Sequence, residues 1–235
     1  MANTTASTLI NRALDHVSRA ATGTTRSGST METEAIYQLN TAMRRISRYY
    51  DFREMKKLYD GATIDGSKIY TFPTDWKVII DIRLINDSQS IKLRRKLSST
   101  QDKWFPYPEG DSEDQPSFYA PWGNDFEVYP IPDAAYTMRM RTVQWPTTIT
   151  VGTDIIDYEP NKDDAILGFM VSGLFAYLQM YTDSTEWGSK AKVALLEAMK
   201  LERRQPDWNP KGVGFMSAER LYGDYYNNPF VYYNP

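Results

Sequence analysis

The apolar residues of this chain change period twice, and those two changes leave few architectures open. From Thr8 to Thr22, Leu9, Ile10, Ala13, Leu14, Val17, Ala20 and Ala21 recur at the three- and four-residue spacing of an amphipathic helix. From Ala62 to about Asp157, short runs rich in Ile, Tyr, Val, Thr and Phe alternate instead. Turn chemistry separates them at Asp65-Gly66, Asn86-Asp87, Gly123-Asn124 and PIPDA (130–134). After Glu159-Pro160 the helical period returns. Neither helical end can bury its apolar stripe alone, so the two ends are expected to close on one another.

Local signals mark the elements. Gly23 offers a left-handed position after the first helix. Ser29 with Glu32 forms a capping-box pattern for a second helix, lined by Ile36, Leu39, Met43, Ile46 and Tyr50, that ends between Tyr50 and Lys57. Within the β-rich stretch, YTMRMRTVQ (136–144) is the clearest strand. Tyr136, Met138, Met140 and Thr142 point one way; Thr137, Arg139, Arg141 and Val143 point the other. IKLRRKL (91–97) alternates with Lys92, Arg94 and Lys96 outward, and residues 98–116 turn irregular and acidic, with one helical turn near Ser99 to Trp104. A third helix, with Asn161 as its N-cap, carries Ile166, Met170, Leu174, Tyr177, Leu178 and Tyr181 on one side, and Gly168 and Gly173 permit close helix approach. Asp183 or Ser184 caps a fourth, lined by Trp187, Ala191, Ala194, Leu195, Ala198 and Leu201. Arg203 and Arg204 suit its C-terminal dipole, and Pro206 stops it.

The expected fold class is therefore α+β: an antiparallel helical bundle of two N-terminal and two C-terminal helices, an inserted antiparallel β-rich unit, and an extended tail. By residues these are 1–60 with 158–206 for the bundle, 61–157 for the β unit, and 207–235 for the tail.

Composition narrows the function. The net charge is -3, from 27 basic and 30 acidic residues, so no global field draws the chain to nucleic acid or an anionic membrane. With no cysteine there is no thiolate chemistry and no disulfide. The N-terminus lacks the pattern of a signal peptide, and the longest apolar run, AILGFMVSGLFAYLQMY (165–181), falls short of the ~20 residues that span a bilayer and reads as a buried helix.

The search for a catalytic or metal constellation is largely negative. His16 is the single histidine, and a lone imidazole in an amphipathic helix is far more often structural than catalytic. Zinc or non-haem iron needs several nitrogen or sulfur donors, so neither metal nor cofactor is expected. KGVGF (211–215) contains a GxG with no strand before it and no GK[ST] after it, which is linker chemistry. The basic run Lys92, Arg94, Arg95, Lys96 suits protection of a strand edge, or a subunit contact with the acidic loop. An enzyme would need a carboxylate pair, Glu109 with Asp111 or Asp163 with Asp164.

Aromatic residues make up 14% of the chain, including 17 Tyr and 6 Trp, and they crowd its end, LYGDYYNNPFVYYNP (221–235). Such a segment is too aromatic for a solvated tail and too irregular for an element of its own fold. Tyr and Trp are also what interfaces prefer.

Three stretches resemble the head-to-tail adaptor (connector) proteins of tailed bacteriophages, particularly short-tailed ones: IYTFPTDW (69–76), PSFYAPWGNDFEVYPIPDAAYTMRMRTVQWP (116–146) and PNKDDAILGFMVSGLFAYLQM (160–180). In those proteins a Y-x-L/F-P strand opens the β unit, a P-x-P-D-x-x-Y hairpin links later strands, and an apolar helix follows. The resemblance runs from the first helix to about Arg204. It implies a non-enzymatic virion protein, made in the host cytoplasm and placed at the capsid vertex. There it forms a ring, commonly of about twelve copies, that joins the portal to the tail nozzle. Tail fibres are a further partner on this reading, and DNA passes through the centre without sequence-specific binding; the alternatives are a tail-associated peptidoglycan hydrolase using one of the carboxylate pairs, and a fibre-binding β module on a helical stalk. By analogy of position, the C-terminal tail is the portal-binding element, with Trp208, Phe215, Leu221, Tyr222, Tyr225, Tyr226, Phe230, Tyr232 and Tyr233 as its contact residues.

Overall fold

A computed structural model describes residues 4–20, 28–86, 89–99, 103 and 113–203. The chain divides into two compact units, Met1–Ala198 and Met199–Pro235. Every contact described here lies within the first.

The helices are α1 (Ala6–Ala20), α2 (Gly28–Tyr49), α3 (Asp163–Tyr177) and α4 (Tyr181–Arg203). Of the predicted stripes, Leu9, Ile10, Ala13 and Val17 of α1 and Leu39, Met43 and Ile46 of α2 are buried, Leu14 and Ile36 are half-buried, and Tyr50 falls just past the end of α2; Ala35 and Ala42, which the pattern left out, are buried as well. Both helices pack on α3 and on each other. The α3 helix is buried almost continuously from Ala165 to Val171 and again at Leu174 and Phe175, as expected of a helix with neighbours on several sides. Gly168 approaches Ala191 of α4, Ser172 faces Gly188 there, and Gly173 faces Gln38 of α2.

Several helix boundaries differ from the sequence reading. Asn161 does not cap α3; it lies in a 3-10 turn, Pro160–Lys162, and Lys162 takes the cap position without a side-chain bond. Tyr181 starts α4 rather than ending α3. The break is a C-terminal Schellman motif, in which Met180 N donates to Phe175 O at 2.9 Å and Gln179 N to Ala176 O at 3.0 Å, with Gln179 at φ 64. Neither Asp183 nor Ser184 is therefore a cap. A glutamine in the left-handed region gives no sequence signal of a stop.

Among the described residues, eight strands form two sheets: β1 (Lys56–Ala62), β8 (Thr137–Gln144), β3 (Trp76–Asn86) and β4 (Gln89–Lys92) in one, and β2 (Ile69–Thr71), β7 (Asp125–Tyr129), β6 (Phe118–Trp122) and β5 (Arg94–Arg95) in the other, each in that spatial order. Their inner faces share one core of Phe72, Ile82, Leu84, Leu93, Tyr119, Phe126, Val128, Met138 and Met140. Strand content starts at Lys56, ahead of Ala62, because β1 is an edge strand with only Tyr59 partly covered and so lacks an alternating apolar pattern. One expected antiparallel pairing is parallel: Arg94 and Arg95 lie beside Phe118 and Tyr119. The chain leaves the first sheet after Lys92, buries Leu93 between the layers, and enters the second at Arg94. Residues 98, 99 and 103 are helical, in keeping with the expected turn.

Polar ties connect distant segments. Asn40 grips the peptide at Ile149 from both sides, donating to its carbonyl at 2.9 Å and accepting from its N–H at 2.8 Å. The start of α1 is clasped by the segment before α3. Ala6 N donates to Asp154 O at 2.9 Å, Ile156 N donates to Thr4 O at 3.0 Å, and Thr4 Oγ1 donates to Asp163 Oδ2 at 2.6 Å.

Between Phe52 and Lys162 lies a buried joint that sequence reasoning missed. Lys162 Nζ, wholly inaccessible, sits 3.0 Å from Glu54 Oε1 and 3.4 Å from Glu159 Oε2, over the ring of Phe52 at 5.0 Å. Arg53 closes the group at 2.7 Å from Glu159. Tyr158, also buried, donates its hydroxyl to Met43 O at 3.1 Å, and burial raises its phenol above the ordinary range.

Candidate interaction surfaces

The outer face of the first sheet is assembled by register. With Tyr59, Ile82, Leu84, Met138 and Met140 turned to the core, alternation puts Lys56, Leu58 and Asp60 of β1, Arg139 and Arg141 of β8, Asp81 and Arg83 of β3, and Lys92 of β4 on the opposite side. One row across the four strands reads Asp60, Arg139, Arg83, Lys92; the next reads Leu58, Arg141, Asp81.

Arg139 forks onto Asp60 at 2.7 and 2.8 Å, and that hydrogen bonding holds the Asp60 carboxyl below its usual range. Asp81 is 5% exposed although it belongs to the outer face. Arg83 Nε donates to its Oδ2 at 3.3 Å, and Arg141 Nε stands 3.8 Å from Oδ1, which accepts no hydrogen bond.

The cations therefore outnumber the carboxylates here: Lys56, Arg83, Lys92, Arg139 and Arg141 against Asp60 and Asp81. Register shifts in β3 bracket Lys77 and Ile80. Ile80 is 46% exposed, and with Leu58 at 63% and Val78 at 40% it sets an aliphatic strip beside the cations. Arginine interleaved with exposed aliphatic side chains is the composition of a protein interface rather than of an ordinary solvated sheet.

On the second sheet, Trp122 is 73% exposed at the tip of the β6–β7 hairpin, where Gly123 takes φ 63. In the basic run, Lys92, Arg94 and Arg95 are exposed, whereas Lys96 lies over the Phe118 ring at 5.1 Å. His16 packs on Trp187 of α4 at 4.8 Å.

Asp163 and Asp164 do not work as a pair. Burial pushes the Asp163 carboxyl up while Thr4 engages it, and Asp164 is turned to solvent near Arg12 at 3.5 Å. Glu109 and Asp111 lie outside the described residues, as do all nine tail residues, Trp208, Phe215, Leu221, Tyr222, Tyr225, Tyr226, Phe230, Tyr232 and Tyr233. Among the described residues no helix is long and apolar enough to cross a membrane.

Among the described residues, then, two sheets close on one core, and helices from both ends of the described chain pack together. The family model of the SU10 adaptor protein matches residues 4–213, and the chain belongs to that family. It is a structural adaptor of a bacteriophage virion, of the head-to-tail kind, acting with portal and tail components. No curated protein matches the chain.

Proposed function

We propose that the chain forms a closed ring, of about twelve copies, at the capsid vertex of a short-tailed phage, where it joins the portal to the tail nozzle and surrounds the path of the exiting DNA. The observation that carries this reading is the family match, which spans both helical ends and the β unit. On this reading the helices form an antiparallel bundle from 1–60 and 158–206, and residues 61–157 form a β domain facing the nozzle or fibre side. Residues 207–235 are the docking tail. A slight net negative charge suits a lumen through which phosphates must slide. Copies of an aromatic tail held in a ring bind cooperatively, because each docked tail raises the effective concentration of the rest.

The test is deletion of residues 220–235. The expected product keeps its melting temperature and fails to join capsids. Particles that still retain DNA and tail with the truncated protein would overturn the role of the tail.

A further inference from the structure

Among the described residues the first sheet's outer face is closed at Val143, which is 2% exposed, but open at Leu58, Asp60, Val78 and Lys92, and its chemistry specifies an occupant. Lys56, Arg83, Lys92, Arg139 and Arg141 surround an aliphatic strip of Leu58, Val78 and Ile80, with only Asp60 and Asp81 to offset the charge. A ligand for such a face must supply both carboxylates and apolar rings.

The chain itself contains that combination at WFPYPEGDSED (104–114). Trp104, Phe105 and Tyr107 precede Glu109, Asp111, Glu113 and Asp114. Residues 104–112 lie outside the described set, but both flanks are placed. Ser98 Oγ donates to Pro121 O at 3.2 Å on β6, and Asp114 N donates to Ile131 O at 2.9 Å just beyond β7. Both attachments are to the second sheet and its continuation, whereas the basic face is turned away from that sheet.

We infer that the outer face of the first sheet receives the 104–114 segment of a second copy of this chain. The contact joins two different surfaces, so each copy gives one and receives one, and repetition closes into a ring or runs on as a filament. A nucleic-acid backbone is the poorer fit. Leu58, Val78 and Ile80 would be dehydrated against phosphates without apolar return, and Asp60 and Asp81 would oppose the phosphates directly. This inference rests on the reading of the chain as a self-associating adaptor.

The absence of cysteine makes the test clean. Full-length Ile80→Cys and full-length Tyr107→Cys are mixed and oxidised. The expected result is a cross-linked dimer from the mixture and none from Ile80→Cys alone. Lys92→Glu with Leu58→Ser, both at exposed positions, is expected to weaken association by roughly tenfold or more in sedimentation at an unchanged melting temperature. Glu109→Lys with Asp111→Lys is expected to recover part of that loss.

No cross-link from the mixture overturns the inference. So does an intramolecular link as the sole product when one chain carries both Ile80→Cys and Tyr107→Cys. A Lys92→Glu, Leu58→Ser variant that self-associates normally but no longer retains duplex DNA assigns the face to nucleic acid instead. If that variant enters virions as wild type does, this contact falls and the adaptor reading stands; if the wild-type chain is absent from virions, the adaptor reading falls with it.

Discussion

A Cβ built on Gly168 would lie 2.7 Å from the Cβ of Ala191, a separation that side chains essentially never reach. Helices α3 and α4 meet here almost backbone to backbone. Gly168→Ala is expected to destabilise the protein by about 1–3 kcal/mol, since neither neighbour is a flexible tip that can swing aside. Ala191→Gly added to it should return part of the loss, and urea denaturation of the two variants checks both. Gly173→Ala is the control. There the obstruction is the end of the Gln38 side chain, which can move at the loss of its 2.7 Å bond to Glu34, so a far smaller change is expected.

Lys162 carries a charge into a site with no solvent contact, and its partner Glu54 keeps Oε2 buried without a hydrogen bond. Removing the cation alone leaves that carboxylate uncompensated. Lys162→Ala is expected to cost about 3–5 kcal/mol, whereas Lys162→Met with Glu54→Leu should cost much less, because a buried pair replaced as a pair loses its desolvation penalty too. A double-mutant cycle by calorimetry separates the cases.

Gln179 holds φ 64 at the end of α3. Glycine adopts that conformation without a Cβ clash, so Gln179→Gly is expected to gain about 0.5–1 kcal/mol, and Gln179→Val to lose more than that. The same denaturation assay reads the sign.

Acid should loosen the joint around Glu159. The hydrogen bond from Arg53 holds this carboxyl below its ordinary 4.5, so its contribution is complete above that pH and disappears as pH falls through the lowered folded-state value. Asp163 works in the opposite sense. Burial raises its carboxyl from 3.8, so the folded state prefers it protonated, and ionising it costs stability as pH rises from about 3.8 through the raised value. Urea midpoints measured against pH should fall more shallowly on acidification in Glu159→Gln than in wild type. Asp163→Asn should lose the opposing component.

The helices were legible because Leu9, Ile10, Ala13 and Val17, or Leu39, Met43 and Ile46, repeat at a period that only a helix can bury. The end of α3 was not, because a left-handed glutamine is chosen by tertiary packing and leaves no mark of the kind Gly leaves. Lys162 reads in sequence as a solvated charge; only the fold brings Glu54 and Glu159 to it.

The basic outer face was legible in single strands but not as one surface: Arg139 and Arg141 already stood on one side of YTMRMRTVQ. Lys92 stood out in IKLRRKL, but Arg83 and Arg139 join its row through cross-strand register, which depends on both β3 bulges. The crossing at Leu93 was hidden for a similar reason, since one buried leucine in a basic run looks like ordinary alternation.

The clasp of Thr4 and Ala6 by residues 154–163, with the packing of α1 and α2 on α3, sets an order of events during synthesis. The apolar stripes of the first two helices leave the ribosome long before α3 exists to cover them. At about 5–20 residues per second, the intervening chain takes roughly ten seconds to make. Through that interval the paired strands, all contained between Lys56 and Gln144, can close, while the N-terminal helices stay sticky. A nascent adaptor is thus most vulnerable at its beginning, and chaperone demand in an infected cell should fall on residues 6–49 rather than on the β-rich middle.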